Sequence, residues 1–231
     1  MESCFNMYKE NSKITTLIQR GKALFEENKI DEAFEIFNEA INLDKNYAET
    51  YIVKAEAHID MYEMDEAEEC IKKYLTLVPK SKRAYLNLIE IYDATAEFSK
   101  AIYYCDELLK KDNKNANLHF KKADFFDMLG DNEKALSCCN SCLNIKPDFY
   151  EALCLKGSLL NALDKNEEAL IIYSKAIELD KTKSKAYIEK ALVYRDMGNY
   201  HTALEFAKKA YELDPKDEWC KCEYSIMKNM F

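Results

Sequence analysis

Small and bulky apolar residues recur along this chain with a period of 34. Alanine stands at 33, 67, 101, 135, 169 and 203. Sixteen residues before each stand Leu17, Tyr51, Tyr85, His119, Leu153 and Tyr187, and twelve before stand Gly21, Ala55, Ile89, Ala123, Gly157 and Ala191. Seven after come Ala40, Tyr74, Leu108, Cys142, Ala176 and Ala210. Within one period, Leu17, Gly21 and Leu24, and then Ala33, Phe37, Ala40 and Ile41, fall at the three- and four-residue spacing of a helix face. The pattern predicts two helices per period, roughly 14–27 and 31–44 in the first, joined by a tight turn at 28–30. Acidic residues open the second helices at Asp31, Asp65, Glu133 and Glu167, where a carboxylate suits the helix dipole.

The breakers obey the same period. Pro79, Pro147 and Pro215 each follow a marker alanine by twelve residues; Gly21 and Gly157 precede one by twelve, Gly130 and Gly198 by five. This phasing predicts an all-α solenoid of antiparallel helix pairs in six units, 14–47, 48–81, 82–115, 116–149, 150–183 and 184–217. An extension, 1–13, precedes them and a capping helix, 218–231, follows. A single helix pair cannot bury its apolar face alone, so the units must stack. Small residues let helices approach while the bulky positions fill the gaps.

The pattern resembles the tetratricopeptide repeat family over 14–217. The sixth unit carries it most fully, with Tyr187, Ala191, Tyr194, Gly198, Tyr200, Ala203, Ala210 and Pro215. Tyr74, Ile89 and Leu108 depart from the family's small residues, so looser or re-angled packing is expected near 74–108. The resemblance implies a right-handed superhelix whose first helices line a concave groove. It also implies a non-catalytic adaptor or scaffold holding an extended segment or helix of another protein there.

Two sets of residues take groove positions by that analogy. One is an apolar row, Ile18, Ile52, Leu86, Phe120, Cys154 and Ile188. The other runs Lys22, Glu56, Glu90, Asp124, Ser158 and Leu192, acidic in its middle three members. Glu49, Asp60, Asp93 and Asp127 add charge on neighbouring positions, opposed by Arg83 and Lys121. Seven acids against two bases over the second to fourth units suggest a partner segment combining basic and apolar residues. Carboxylates along a wall steer such a partner, while the apolar row supplies affinity. The alternative is that the carboxylates only solvate an acidic protein.

One branch of the family clamps the acidic C-terminal tails of heat-shock chaperones with Lys and Asn in one first helix, Asn in the next, and Lys and Arg in the third. The second to fourth units offer Ile52, Glu56, Asn87, Asn117 and Lys121 instead, and no other triplet of units comes close. This chain is not of the clamp type.

The last helix carries two apolar stripes. Cys220, Tyr224, Met227 and Phe231 would pack on the sixth unit. Trp219, Cys222, Ile226 and Met230 would face the groove beside Ile188 and Leu192, where they could form a homodimer or docking interface. If the helix instead rotates to bury Trp219, that surface shrinks.

Composition narrows the function. Of 231 residues, 48% are hydrophobic and 32% charged; four Gly and three Pro fit helices with short turns. A net charge of −9 argues against nucleic-acid or anionic-membrane partners, which demand basic surface. No apolar run reaches the ~20 residues of a membrane span, and the N-terminus has no apolar signal core. Nine cysteines, an odd number, read as reduced thiols in the cytoplasm.

No catalytic set emerges. Cys138, Cys139 and Cys142 lack a second pair at zinc spacing and read as small core residues, whereas Cys154 is expected to be more exposed. His58 and His119 read as core residues and His201 as solvent-facing, with no nucleophile–base arrangement and no phosphate-binding glycine loop. No enzyme activity, cofactor or metal is expected.

Overall fold

Each stretch between turn residues is long enough for at least three helical turns, and each folds as a helix. The computed structural model describes the backbone of residues 2–230 and the side chains of residues 11–230. Among the described residues there are thirteen helices and no strand: α1 (Glu2–Glu26), α2 (Ile30–Leu43), α3 (Ala48–Asp60), α4 (Met64–Leu77), α5 (Lys82–Ala94), α6 (Phe98–Leu109), α7 (Ala116–Met128), α8 (Asn132–Ile145), α9 (Tyr150–Ala162), α10 (Asn166–Leu179), α11 (Ser184–Asp196), α12 (Tyr200–Leu213) and α13 (Glu218–Lys228). The chain is an all-α repeat solenoid. It divides into two compact units, Met1–Tyr104 and Cys105–Phe231, with α6 running across the division. The division falls inside the stretch where Tyr74, Ile89 and Leu108 replace small residues, and all three side chains are buried.

The first helix begins at Glu2 rather than near Ile14. Residues 2–13 contain neither Gly nor Pro, so nothing in the sequence stops the helix from continuing through them.

In unit 1, α1 pairs with α2 and α3 with α4, and α1, α3 and α5 are neighbours. Its core includes Leu17, Ile18, Ala33, Phe37, Ala40, Ile52, Ala55, Ile71 and Ile89. Gly21 is required by close approach: a Cβ there would lie 2.4 Å from the Phe37 ring. In unit 2, α7 pairs with α8, α9 with α10 and α11 with α12, and α13 packs on α12. Gly157 repeats the arrangement, its missing Cβ standing 2.6 Å from the ring of fully buried Tyr173.

The turn within each pair has one geometry. Asn28, Tyr62, Ala96, Gly130, Asp164 and Gly198, each five residues before a marker alanine, all have positive φ, between 56° and 75°. The Tyr62 amide donates to the Ile59 carbonyl and the Glu63 amide to the His58 carbonyl, both at 2.9 Å. Gly130 and Asp131 make the same pair of bonds to Asp127 and Phe126. This left-handed helix end satisfies carbonyls that would otherwise be orphaned, and it favours glycine. Only two of the six positions are glycine.

Candidate protein-binding surface

The first helices present the residues singled out in the sequence, and the two units differ in what they do with them. In unit 1 the apolar row is mostly not a surface. Ile18 and Ile52 are 3% and 0% exposed, and only Leu86, at 41%, stands open. In unit 2, Ile188 and Cys154 are likewise buried and Phe120 is half-buried against Phe149. The expected exposed apolar row is therefore corrected: four of its six members are buried, because an apolar side chain that can reach the packed core is favoured there over water, and only Leu86 stands open.

The acidic positions of unit 1 fall into two groups. Towards the start of the helices, Arg83 on α5 reaches back to α3. Its Nε and Nη2 donate to the two Glu56 oxygens at 2.6 Å each, and its Nη1 donates to Glu49 at 2.8 Å. Hydrogen bonding to Glu56 raises the guanidinium pKa further above its ordinary value. A forked pairing of this kind fixes both partners geometrically. Its single positive charge offsets one of the two negative charges that Glu49 and Glu56 were expected to present. Towards the far end of the helices, Asp60 and Glu90 are exposed and Asp93 is half-buried. Among the described residues no cation pairs with Asp60 or Glu90.

Two cavities lie on this face. One, of about 350 Å³, sits between α3 and α5 and is walled by Asp60, Glu90 and Asp93, with Tyr62 from the turn, Met64 from the start of α4, and Ile59 and Ala94. The other, of about 180 Å³, sits between α1 and α3; Phe25, Phe37, Val53 and Ala57 line it, with Lys22, Glu26 and Glu56 at its polar edge. Asp60 borders both. Tyr62, Phe25 and Val53 were not singled out from the sequence. Tyr62 had a readable signal, because an aromatic residue replaces the Gly, Asn, Asp or Ala found at that turn position elsewhere. It is 82% exposed at a φ of 59°.

Unit 2 keeps fewer open carboxylates. Asp124 is exposed and Asp127 half-buried. Burial, and then the charge of Asp124, pushes the Asp127 carboxyl pKa up. Glu189 accepts a hydrogen bond from the Tyr173 hydroxyl at 3.2 Å, and burial raises its pKa too. Arg195 donates to Glu223 at 2.9 Å, tying α11 to α13. Leu192 is half-buried.

The two stripes of α13 separate. Cys220 and Met227 are buried on α12, and Tyr224 stacks on Tyr211 with ring centres 5.4 Å apart. Phe231 lies outside the described residues. Trp219, at 39%, is exposed together with Cys222, Ile226 and Met230. Asp217 caps the helix, accepting from the Trp219 amide at 2.9 Å, and the burial of Cys220 and Met227 on the opposite face leaves Trp219 outward.

Other candidates resolve as packing. Cys138, Cys139, Cys142 and Cys154 are buried; burial pushes the Cys139 thiol up to about 12 and those of Cys142 and Cys154 to about 11. The expectation that Cys154 is the more exposed is corrected: at 1% exposure it lies in the core beside Tyr150 and Tyr173. His58 is buried against Phe34 and bonded to Glu63 at 2.7 Å. His119, expected in the core, is half-buried and meets the Asn113 carbonyl at 3.0 Å. Among the described residues, no cluster of three His, Cys, Asp or Glu could hold a metal ion, and no helix is long and apolar enough to cross a membrane.

Comparison with known proteins places this architecture. Solved structures share the fold. The crystal structure of YrrB, "a TPR protein with an unusual peptide-binding site", matches with a TM-score of 0.65 at 22% identity, covering 80% of this chain and 95% of that one. The MamA protein matches at 0.67 and 23%, covering 76% and 96%. In the Cut9–Hcn1 hetero-tetramer of the APC/C, one chain matches at 0.61 and 16%; the similarity covers 93% of this chain but 42% of that longer one. A search of curated protein sequences finds no match. Family models described as "Tetratricopeptide repeat" match residues 24–90 and, in succession, 116–149, 150–183 and 184–217, well over half the chain between them. The chain belongs to the tetratricopeptide repeat family.

Proposed function

We propose that this chain is a non-catalytic adaptor or scaffold that binds a basic–apolar segment of a partner protein on the first-helix face of unit 1. Tetratricopeptide repeat proteins bind other proteins, and YrrB is described as having a peptide-binding site. The observation that carries the reading is the pair of adjoining cavities on α1, α3 and α5, one largely apolar and one walled by carboxylates. Exposed ion pairs contribute only ~0–1 kcal/mol each, so the carboxylates select and steer while apolar burial holds the segment. The burial of Ile18 and Ile52 moves that apolar contribution onto Phe25, Val53, Ala57 and Leu86. The reduced thiols fit a cytoplasmic protein.

A second reading rests on α13. Trp219, Ile226 and Met230 form an exposed apolar stripe, and such a stripe at the end of a solenoid suits self-association or docking. Light scattering separates the two: a stable dimer dispersed by Trp219→Ser and Ile226→Ser supports the α13 reading. The leading reading is tested by capture from source-cell extract with wild type and an Asp60→Lys, Glu90→Lys variant of equal helicity. Loss of a partner in the variant, and its release by salt, supports binding at unit 1. Retention of every partner makes these carboxylates solvated surface.

A further inference from the structure

The two cavities of unit 1 are neighbours with different chemistry, and their order on the face limits what can occupy them. The cavity between α1 and α3 has an apolar floor of Phe25, Phe37, Val53 and Ala57. Its charged residues stand at the edge: Lys22 and Glu26 from α1, of opposite sign, Asp60, and Glu56, which Arg83 already holds in a forked pair. The floor between them favours an uncharged side chain. The cavity between α3 and α5 has the opposite character. Asp60, Glu90 and Asp93 wall it, and Tyr62 offers an aromatic ring that is 82% exposed. A ring beside carboxylates suits a lysine or arginine, whose charge meets the anions and whose stem lies along the ring.

We propose that unit 1 reads two side chains of one extended partner segment: an apolar residue in the α1–α3 cavity and a lysine or arginine in the α3–α5 cavity. This rests on the protein-binding reading above and adds to it the identity, order and spacing of the residues read. The cavities lie on either side of α3, so their separation is that of packed helices, about 8–10 Å. A polyproline II segment rises about 3.1 Å per residue with three residues per turn, which puts positions three apart on one face at about 9 Å. The recognised pattern is an apolar residue and a basic residue three positions apart.

The test uses the full chain and three synthetic peptides of Gly, Ser and Pro, blocked at both ends. The first carries Leu and Arg three residues apart, the second Ser for the Leu, the third Ser for the Arg. Binding is followed by amide NMR shifts on wild type and on an Asp60→Asn, Glu90→Gln variant, whose changes are at exposed positions and preserve shape. The Leu/Arg peptide is expected to shift amides in α3 and α5 of wild type. Replacing its Arg should weaken binding about tenfold in wild type and about twofold or less in the variant, while replacing its Leu should weaken both about tenfold. An Arg effect of equal size in wild type and variant overturns the proposal, as does an absence of shifts in α3 and α5 at millimolar peptide. If either occurs while the natural partner is still lost in the Asp60→Lys, Glu90→Lys variant, the two-cavity pattern fails and binding at unit 1 stands. If that partner is retained as well, both fail.

Discussion

Unit 1 and unit 2 are built from the same helix pair, yet their first-helix faces have been spent differently. Unit 1 leaves two cavities open, one with an apolar floor and one walled by carboxylates, and pairs Glu49 and Glu56 with Arg83. Unit 2 buries the same apolar position with Cys154 and Ile188, keeps Glu189 bonded to Tyr173, opens a cavity of about 430 Å³ beside Glu151, Lys183 and Lys185 instead of a carboxylate-walled one, and exposes apolar surface on α13. The repeat thus fixes the scaffold, and single residues at a few phases decide whether a position becomes core, ion pair or open wall.

The largest expected effect tests whether the shared scaffold rests on close helix approach in both units. Gly21→Leu and Gly157→Leu place side chains where even a Cβ would meet Phe37 or Tyr173 at 2.4 or 2.6 Å. Each should destabilise by about 2–3 kcal/mol, lowering the melting temperature in calorimetry by roughly 2–4 °C per kcal/mol. A loss confined to one unit would mean that the two are packed by different rules.

Breaking the charge arrangement of unit 1 comes next. Arg83→Ala removes the forked pair with Glu56 and should cost about 1 kcal/mol in denaturant unfolding, less at high salt. It also unmasks Glu49 and Glu56, so the variant should hold a cationic segment more tightly than wild type at low salt. Weaker binding would place Arg83 in the contact itself.

The turns give a smaller contrast. Tyr62→Gly relieves a bulky residue of left-handed backbone and should stabilise by about 0.5–1 kcal/mol, whereas Gly130→Ala, at a φ of 75°, should destabilise by about 1 kcal/mol. Chemical unfolding of the two variants reads both signs. If Tyr62→Gly also weakens partner binding while raising stability, the strain at Tyr62 serves recognition.

The last contrast leaves stability nearly unchanged. Cys222 on the exposed face of α13 should be carboxamidomethylated readily at pH 8, while Cys139, fully buried with its thiol pushed up to about 12, should resist until the chain unfolds. Peptide mapping by mass spectrometry measures both rates.

The helix pairs could be read from the sequence because the period is carried by residues whose reason is steric. Alanines 33 to 203 and glycines 21 and 157 sit where helices approach, and no substitution had to be guessed to see it. The start of α1 was less legible: 2–13 lack the apolar phase that marks the units, and only the absence of a breaker speaks for helix there. The binding face was legible in charge and not in exposure. Ile18, Ile52 and Ile188 hold a groove position by family analogy, but an apolar side chain at the edge of a stack rotates into it, and spacing alone does not distinguish the two outcomes. The Arg83–Glu56 pair joins residues 27 apart, and its fork depends on two helices lying side by side, which residue types do not specify. On α13 the two stripes did separate by spacing, since a helix with Cys220 and Met227 buried on α12 has only one face left for Trp219.

The most direct measurement of the central claim is photo-crosslinking from the two competing surfaces. A benzophenone side chain is installed at Ala94 on α5, which lines the acidic cavity, or at Ile226 on α13, and each chain is irradiated in source-cell extract at low and high salt. Binding at unit 1 predicts a partner adduct from position 94 that fades with salt, and little from position 226. An adduct from position 226 alone, indifferent to salt, would contradict it and make the exposed face of α13 the binding surface.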